Sequence, residues 1–374
     1  MKFFKSDKTK YNLFIFLSTF AKTMCEVFVP IVLFNKGLDL ACIFSYYIIK
    51  YTILLLTFYP MIRLGKIVKF KWLLVISSIA LGISFYSLSV LTISLTHLFL
   101  TALAFGIYTQ TYWLGRHYYA MEVLPKKDMA DEVGNIIILS QLALIPSAYL
   151  GALAIEHLGL ETLTTIVTFI SIIGAFPIFS IAEKINNVPI DTGKIYKTIP
   201  KQSLFIIAFD QLRLALMLLF PLWIYLNVVD TYHYIGILNI AIGIASIFFI
   251  YLFARKMDQD KKDYLNLAII LLSTIFLIKL EITNATSMII IVLFEGLASR
   301  MHITSFTRNL YSLGKNYDKA SYLCVYEIIT NSTLILIFDL ALVFFRDLTT
   351  FLYIGTLVFL LSSFIKFDDG KGGY

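Results

Sequence analysis

Residues 11–34, YNLFIFLSTFAKTMCEVFVPIVLF, form an apolar stretch that is long enough to cross a bilayer as one helix. Lys22 and Glu26 lie in the middle of it, four residues apart and therefore on one face of that helix. A charge at the centre of a bilayer costs about 2.5–3.5 kcal/mol on insertion scales, so charges at this depth indicate a function. The stretch predicts a membrane-spanning helix that carries a polar site.

The same pattern returns in residues 203–226, SLFIIAFDQLRLALMLLFPLWIYL. In both stretches a cation stands eight residues before a proline. The positions that match at one constant offset are Phe14, Ile15, Lys22 and Pro30 with Phe205, Ile206, Arg213 and Pro221. Later matches at nearly the same offset are Tyr59, Arg63, Arg116 and Tyr119 with Tyr251, Arg255, Arg308 and Tyr311. The chain therefore reads as two related halves, each opening with a helix that carries a buried cation.

Composition places the chain in the membrane. Apolar residues make up 59% of it and charged residues only 15%, and the mean hydropathy is +0.82. A soluble domain of this size carries more charge. Long apolar runs from end to end predict an all-α polytopic membrane protein. Because nucleotide-binding loops and catalytic triads are absent from the sequence, we expect neither an enzyme nor an ATP-driven pump, and no cofactor, metal or nucleic-acid partner.

Twelve apolar stretches are candidate spans. They are residues 11–34, 40–62, 71–92, 95–118, 134–156, 160–182, 203–226, 232–254, 264–280, 286–307, 319–343 and 348–366. The longest connection, 183–202, contains two prolines and a glycine and is predicted to be a cytoplasmic linker. It separates an N-terminal six-helix bundle, residues 1–182, from a C-terminal six-helix bundle, residues 203–374.

Lysines and arginines are concentrated in every second loop. The opposite loops contain only Lys36 and Arg346, with Lys279 near the end of a span on that side. Since positively charged loops stay in the cytoplasm, both termini are predicted to be cytoplasmic, in a protein of the cytoplasmic membrane. An even number of spans agrees with this orientation.

Twelve spans in two parallel repeats resemble the major facilitator superfamily of transporters. The superfamily's loop between helices 2 and 3 contains R-x-G-[RK], which Arg63-Leu64-Gly65-Lys66 matches, whereas its acidic and first glycine positions are Ile62 and Phe58 here. The resemblance implies two six-helix bundles that are related by pseudo-symmetry. It also implies a cytoplasmic gate, for which the candidate residues are Arg63, Gly65, Lys66, Arg116, Arg255 and Arg308.

Lys22 and Arg213 are the first candidates for substrate binding. The superfamily's organophosphate/phosphate antiporters similarly have one cation on each of helices 1 and 7, which implies an anionic substrate. Further candidates are Lys50, Tyr47 and Asn331. The alternative is structural: Glu26 neutralises Lys22, and Asp210 neutralises Arg213, one turn away in each case.

Buried carboxyl groups are the candidates for proton coupling, because a proton can bind and leave as their surroundings change. They are Glu26, Glu327, Asp210 and Glu295, of which Glu26 and Glu327 are favoured. Glu327 shows no obvious partner on its own helix. The alternative is a structural ion pair with Lys50 or Arg300 on another helix.

These features predict a secondary transporter that moves a small polar or anionic solute by alternating access, coupled to protons or to an exchanged solute. Each chain contains both halves of the site, so we expect a monomer. Three alternatives remain. One is proton-driven efflux of drugs or other amphipathic compounds. The second is a flippase-like protein or an integral membrane enzyme. The third is a non-transporting sensor or scaffold.

Overall fold

The computed structural model describes residues 6–123, 129–181, 192–251, 264–314, 316–317 and 319–368. Within these ranges, only the backbone is described for Lys66 and for residues 117–123, 129–137, 192, 194–195 and 319–320. The described residues form helices and connecting turns, and no strand occurs among them.

Fourteen α-helices are described, and a helix is present at each of the twelve predicted spans. They are α1 Asp7–Glu26, α2 Val29–Asn35, α3 Leu40–Val68, α4 Phe70–Ser89, α5 Leu95–Val123, α6 Met129–Leu158, α7 Leu160–Phe179, α8 Thr192–Thr198, α9 Lys201–Asn227, α10 Tyr232–Phe249, α11 Leu265–Glu281, α12 Ala285–Gly314, α13 Lys319–Phe344 and α14 Leu348–Leu361. A short 3₁₀ helix, Ser362–Phe364, follows α14.

The described part of the chain contains nine helices that are long and apolar enough to cross a membrane, if α1 and α2 are taken as one. The predicted spans outside this set correspond to α5, α11 and α14, of which α11 has 17 residues and α14 has 14. The predicted fold class, an all-α polytopic membrane protein, is confirmed.

Pro30 and Pro221 have different effects on their helices. Proline has no N–H and so cannot donate to the carbonyl four residues earlier. At Pro30 this carbonyl belongs to Glu26, where α1 ends; α2 begins at Val29. Pro221, by contrast, lies inside the continuous helix α9. The two stretches that match in sequence therefore differ in backbone structure.

The chain divides into two compact units. The first consists of Met1–Asn187 with Thr231–Ile240, and the second of Val188–Asp230 with Ala241–Tyr374. The change after Asn187 falls inside the predicted linker, whereas the first half of α10 belongs to the first unit. The division into bundles 1–182 and 203–374 stays a prediction.

In the first unit, lysines bind the free carbonyls at helix C-termini. Lys10 Nζ donates to Ser180 O at 3.3 Å, and Lys71 Nζ donates to Ile181 O at 2.8 Å, both at the end of α7. Lys36 Nζ donates to Ser89 O, the last residue of α4. The last carbonyls of a helix lack partners within it and carry partial negative charge, so these cations stabilise the helix ends.

Two aspartates begin helices at exposed positions. The Asp39 carboxylate accepts a hydrogen bond from Cys42 N at 2.8 Å at the start of α3, and Asp347 accepts one from Thr350 N at 2.8 Å at the start of α14. These backbone N–H groups lower the pKa of both carboxyl groups, because they stabilise the ionised form. Both residues are N-caps, which define where the helices begin.

In the second unit, α9 packs against α13 and α14, and α11 packs against α12. Gly296 of α12 lies against the backbone of α10 at Ile242, and Ser246 Oγ donates to Gly296 O at 3.2 Å. A small residue is therefore needed where these two helices meet.

Gly151 allows α1 and α6 to pack closely. A Cβ atom at this position would overlap the carbonyl oxygen of Met24, which is backbone and cannot rotate away. Met24 lies between Lys22 and Glu26, so this contact sets the distance of the charged turn of α1 from α6.

We expect Gly151→Ala to separate α1 from α6 and to destabilise the protein by about 1–3 kcal/mol, the usual range for overpacking. Thermal unfolding of the purified protein in detergent would measure this. Gly355→Ala is the matched control, because its Cβ would meet Leu216 Cδ2, the end of a flexible side chain, at 3.0 Å. Equal stability of the two variants would show that the contact between α1 and α6 is not tight.

Candidate functional site

Lys22 and Glu26 form an ion pair on α1, with Lys22 Nζ 3.0 Å from Glu26 Oε2. Both side chains are partly exposed, at 21% and 31%. Lys22 Nζ also lies 5.8 Å from the centre of the Trp113 ring of α5. The pair that the spacing predicted is present, so the charge of Lys22 is neutralised on its own helix.

Lys50 of α3 is 6% exposed and is surrounded by aromatic rings. Its Nζ lies 5.5 Å from the ring centre of Tyr51, 5.9 Å from that of Phe105 and 6.0 Å from that of Tyr47. Within the described part of the chain, Lys50 has no hydrogen bond and no carboxylate at ion-pair distance. Cation–π contacts stabilise an ammonium group but leave its charge in place.

Lys50 and the pair on α1 belong to one electrostatic cluster, because both Glu26 and Lys22 act on Lys50. Glu26 also acts on Tyr108 of α5, whose hydroxyl is buried and has no hydrogen-bond partner among the described residues. This group of two lysines, one glutamate and several rings is the "first-unit cluster". The sequence indicated Lys50 and Tyr47, but Phe105 and Tyr108 become neighbours only through the packing of α3 on α5.

Arg213 and Asp210 form a two-point ion pair on α9. Arg213 Nε lies 2.8 Å from Asp210 Oδ1, and its second contact is a 3.1 Å hydrogen bond to Oδ2. His302 of α12 is also close, with Nε2 3.6 Å from Asp210 Oδ1, and its ring lies against Phe306 and Phe359. Arg213 is therefore neutralised in the same way as Lys22, and His302 is a neighbour to which the sequence assigned no role.

Glu295 has a partner that the sequence did not suggest. It pairs with Lys279 of α11, whose Nζ is 2.7 Å from Glu295 Oε2. The two side chains are 2% and 4% exposed, and Lys279 Nζ lies 4.0 Å from the centre of the Phe220 ring. Lys279 is thus a buried cation at the end of α11 rather than a surface charge.

Glu327 does have a partner on its own helix, contrary to the expectation. The Asn331 amide, one turn further along α13, donates to Glu327 Oε2 at 3.1 Å and to Glu327 O at 2.9 Å. Among the described residues, no cation lies within ion-pair distance of Glu327. Of the four predicted proton carriers, Glu26, Asp210 and Glu295 have cationic partners, and Glu327 has an amide.

The predicted gate residues are in varied surroundings. Arg63 is exposed and donates to Tyr59 Oη at 2.8 Å. Gly65 leaves room for the Phe70 ring, and Arg116 donates to Tyr112 Oη at 3.3 Å.

Arg308 is half-buried in α12. The Lys66 side chain and the whole of Arg255 lie outside the described residues. The structure therefore places only part of this predicted set.

Comparison with solved structures finds the same fold in a transporter. The match to the crystal structure of the nucleoside transporter NupG has a TM-score of 0.69 and covers 96% of this chain and 98% of that one, at 13% sequence identity. No family model matches the chain. No curated protein sequence matches it either. The similarity is therefore one of fold.

The Lys279–Glu295 pair provides a test of a structural role. Replacing either residue alone by alanine should cost about 3–5 kcal/mol, because it leaves the other charge buried without a partner. Lys279→Met together with Glu295→Leu should restore most of the stability. Thermal unfolding in detergent measures each variant.

Asp7→Ala is the control for that series, since Asp7 pairs with Lys10 at 3.2 Å in a more exposed position. It should cost less than about 1 kcal/mol. A double replacement as damaging as the single ones would contradict the structural role of the pair.

Proposed function

We propose that this chain is a secondary transporter of the major facilitator type, which moves a small organic anion across the cytoplasmic membrane by alternating access. The fold that it shares with a solved transporter supports the class of protein. The midspan charges support a polar solute, since each one is costly to place in a bilayer. The chain itself supplies binding and coupling groups, and no cofactor takes part.

The main support for an anionic substrate is the charge of Lys50, which has no carboxylate at ion-pair distance among the described residues. In the first-unit cluster, Glu26 neutralises Lys22 at 3.0 Å, and Lys50 keeps one positive charge among three rings. A buried cation is stable when an anion lies beside it. A carboxylate or phosphate group of the solute fills this role, so Lys50 rather than Lys22 is the main anion-binding residue of this unit.

Glu327 is the best candidate for proton coupling. A cation beside a carboxylate favours its ionised form. Glu26, Asp210 and Glu295 each have such a cation at ion-pair distance. A carboxyl group beside an amide is stable both with and without its proton, because the amide N–H can donate to an oxygen in either state. Movement of an anion together with a proton through Glu327 would use the proton gradient as the energy source.

The proposed orientation has both termini in the cytoplasm. The lysines that bind the end of α7, Lys10 and Lys71, lie on the side that the loop charges assign to the cytoplasm. A monomer is the proposed functional state, since one chain contains all of the groups named above.

Substitutions at Lys50 test the substrate class. The purified protein is reconstituted in liposomes, and the uptake of radiolabelled carboxylates and phosphate esters is compared with that of their uncharged analogues. We expect uptake of anions, a loss of tenfold or more in Lys50→Met, and substantial activity in Lys50→Arg, which keeps the positive charge.

Arg346→Gln is the control for the Lys50 variants, because Arg346 is an exposed cation between α13 and α14. The Arg346→Gln protein should transport normally. Preferential uptake of uncharged or amphipathic compounds, with Lys50→Met fully active, would refute the anionic substrate. It would favour the efflux alternative.

Glu327→Gln tests the coupling. This variant keeps the shape of the side chain but cannot exchange a proton, so it should lose uptake driven by a pH gradient and retain exchange of solute for solute. Both are measured in the same liposomes, with Glu26→Gln for comparison. Gradient-driven uptake by Glu327→Gln at the rate of the unmodified protein would exclude Glu327 as the proton carrier.

A further inference from the structure

Arg300 lies at the middle of α12 and is almost completely buried, at 5% exposure. The helix runs from Ala285 to Gly314, so Arg300 is about 20 Å along the axis from either end at a rise of about 1.5 Å per residue. The sequence suggested it only as an ion-pair partner for a buried carboxyl group on another helix, such as Glu327. Glu327 is instead bound to Asn331, and Glu295 of α12 is bound to Lys279.

Among the described residues, no carboxylate lies within ion-pair distance of Arg300, and its Nε has no hydrogen-bond partner. Arg213 of the same unit provides the contrast, since both oxygens of Asp210 bind it. Among the described residues, Arg213 therefore has a neutralising carboxylate and Arg300 has none.

The side of α12 that carries Arg300 differs from the side that forms the interior ion pairs. His302, which faces Asp210, is two residues further along and so projects from nearly the opposite side of the helix. Gly296, one turn before Arg300, packs on Ile242 and Ala245 of α10. Arg300 therefore lies on the side towards α10, away from the carboxylate of Asp210.

We propose that Arg300 is an anion-binding residue of the second unit and that it holds a carboxylate or phosphate group of the transported solute. This inference rests on the proposed function. A guanidinium group presents a planar set of N–H donors that matches the two oxygens of a carboxylate or phosphate, and charge-assisted bonds of this kind are strong.

A lipid headgroup has the same chemistry, but the depth of Arg300 favours the solute. The hydrocarbon core of a bilayer is about 30 Å thick, so headgroups lie about 15 Å or more from its centre. Arg300 is 14 and 7 residues from the two ends of the predicted span 286–307, about 21 and 10 Å along the helix axis. We therefore infer that the ligand is a small anion that enters the span rather than a headgroup at its edge.

The test is isothermal titration of the full-length protein with acetate, succinate, benzoate and inorganic phosphate, in detergent and in nanodiscs with or without phosphatidylglycerol. Arg300→Gln should weaken the best-bound probe about 10- to 100-fold, the usual effect of losing a charged hydrogen bond. Arg300→Lys keeps the positive charge but loses the planar set of guanidinium donors, so it should weaken binding of the probe about three- to tenfold. The control Arg346→Gln should bind as the unmodified protein does.

Each outcome has a defined meaning. If Lys50→Met loses the probe and Arg300→Gln binds it normally, the role of Arg300 is refuted and the proposed function stands. If both variants bind it normally, or the unmodified protein binds none of the probes, both proposals fail. If phosphatidylglycerol displaces the probe from the unmodified protein and this competition is lost in Arg300→Gln, the site belongs to a lipid headgroup. If Arg300→Gln does not fold, unchanged affinity in Arg300→Lys refutes the inference.

Discussion

A charge inside a bilayer needs an opposite charge beside it, and this constraint organises the structure. Three ion pairs in the described part of the chain satisfy it: Lys22 with Glu26, Arg213 with Asp210, and Lys279 with Glu295. In each pair, the attraction between the two charges offsets part of the free-energy cost of removing both groups from water. Once these pairs are recognised, Lys50 and Arg300 stand out, since neither has a carboxylate at ion-pair distance among the described residues; these are the two cations proposed to bind the solute.

The buried cations Lys50, of the first unit, and Arg213 and Lys279, of the second, have different surroundings. In the first, rings of Tyr47, Tyr51 and Phe105 surround Lys50 and stabilise its charge without cancelling it. In the second, carboxylates bind Arg213 and Lys279 directly. Matching sequence stretches therefore do not imply matching environments: Phe14 is fully buried near Tyr112, whereas Phe205 is exposed.

The fold could be read from the sequence because apolar length alone identifies a membrane-spanning helix. The ion pairs of α1 and α9 could be read as well, since residues three or four apart meet on one helix. Lys279 and Glu295 are 16 residues apart on two helices, and only the packing of α11 on α12 brings them together. The same spacing rule applies to Asn331, which lies four residues after Glu327 and donates to it. Among the described residues no carboxylate pairs with Arg300. The sequence could not predict this, because it depends on where every acidic side chain lies in the folded protein.

The separation of Lys279 from Glu295 also bears on how the chain enters the membrane. A ribosome adds about 5–20 residues per second, so Lys279 emerges about 1–3 s before its partner. Lys22 obtains Glu26 within a fraction of that time and on the same helix, so these two charges can compensate each other before α1 enters the lipid. Lys279 lacks Glu295 until α12 has been made. We therefore expect the two helices to enter the lipid together as a hairpin, so that a delay in translation between them would expose the ammonium group of Lys279 to the insertion machinery.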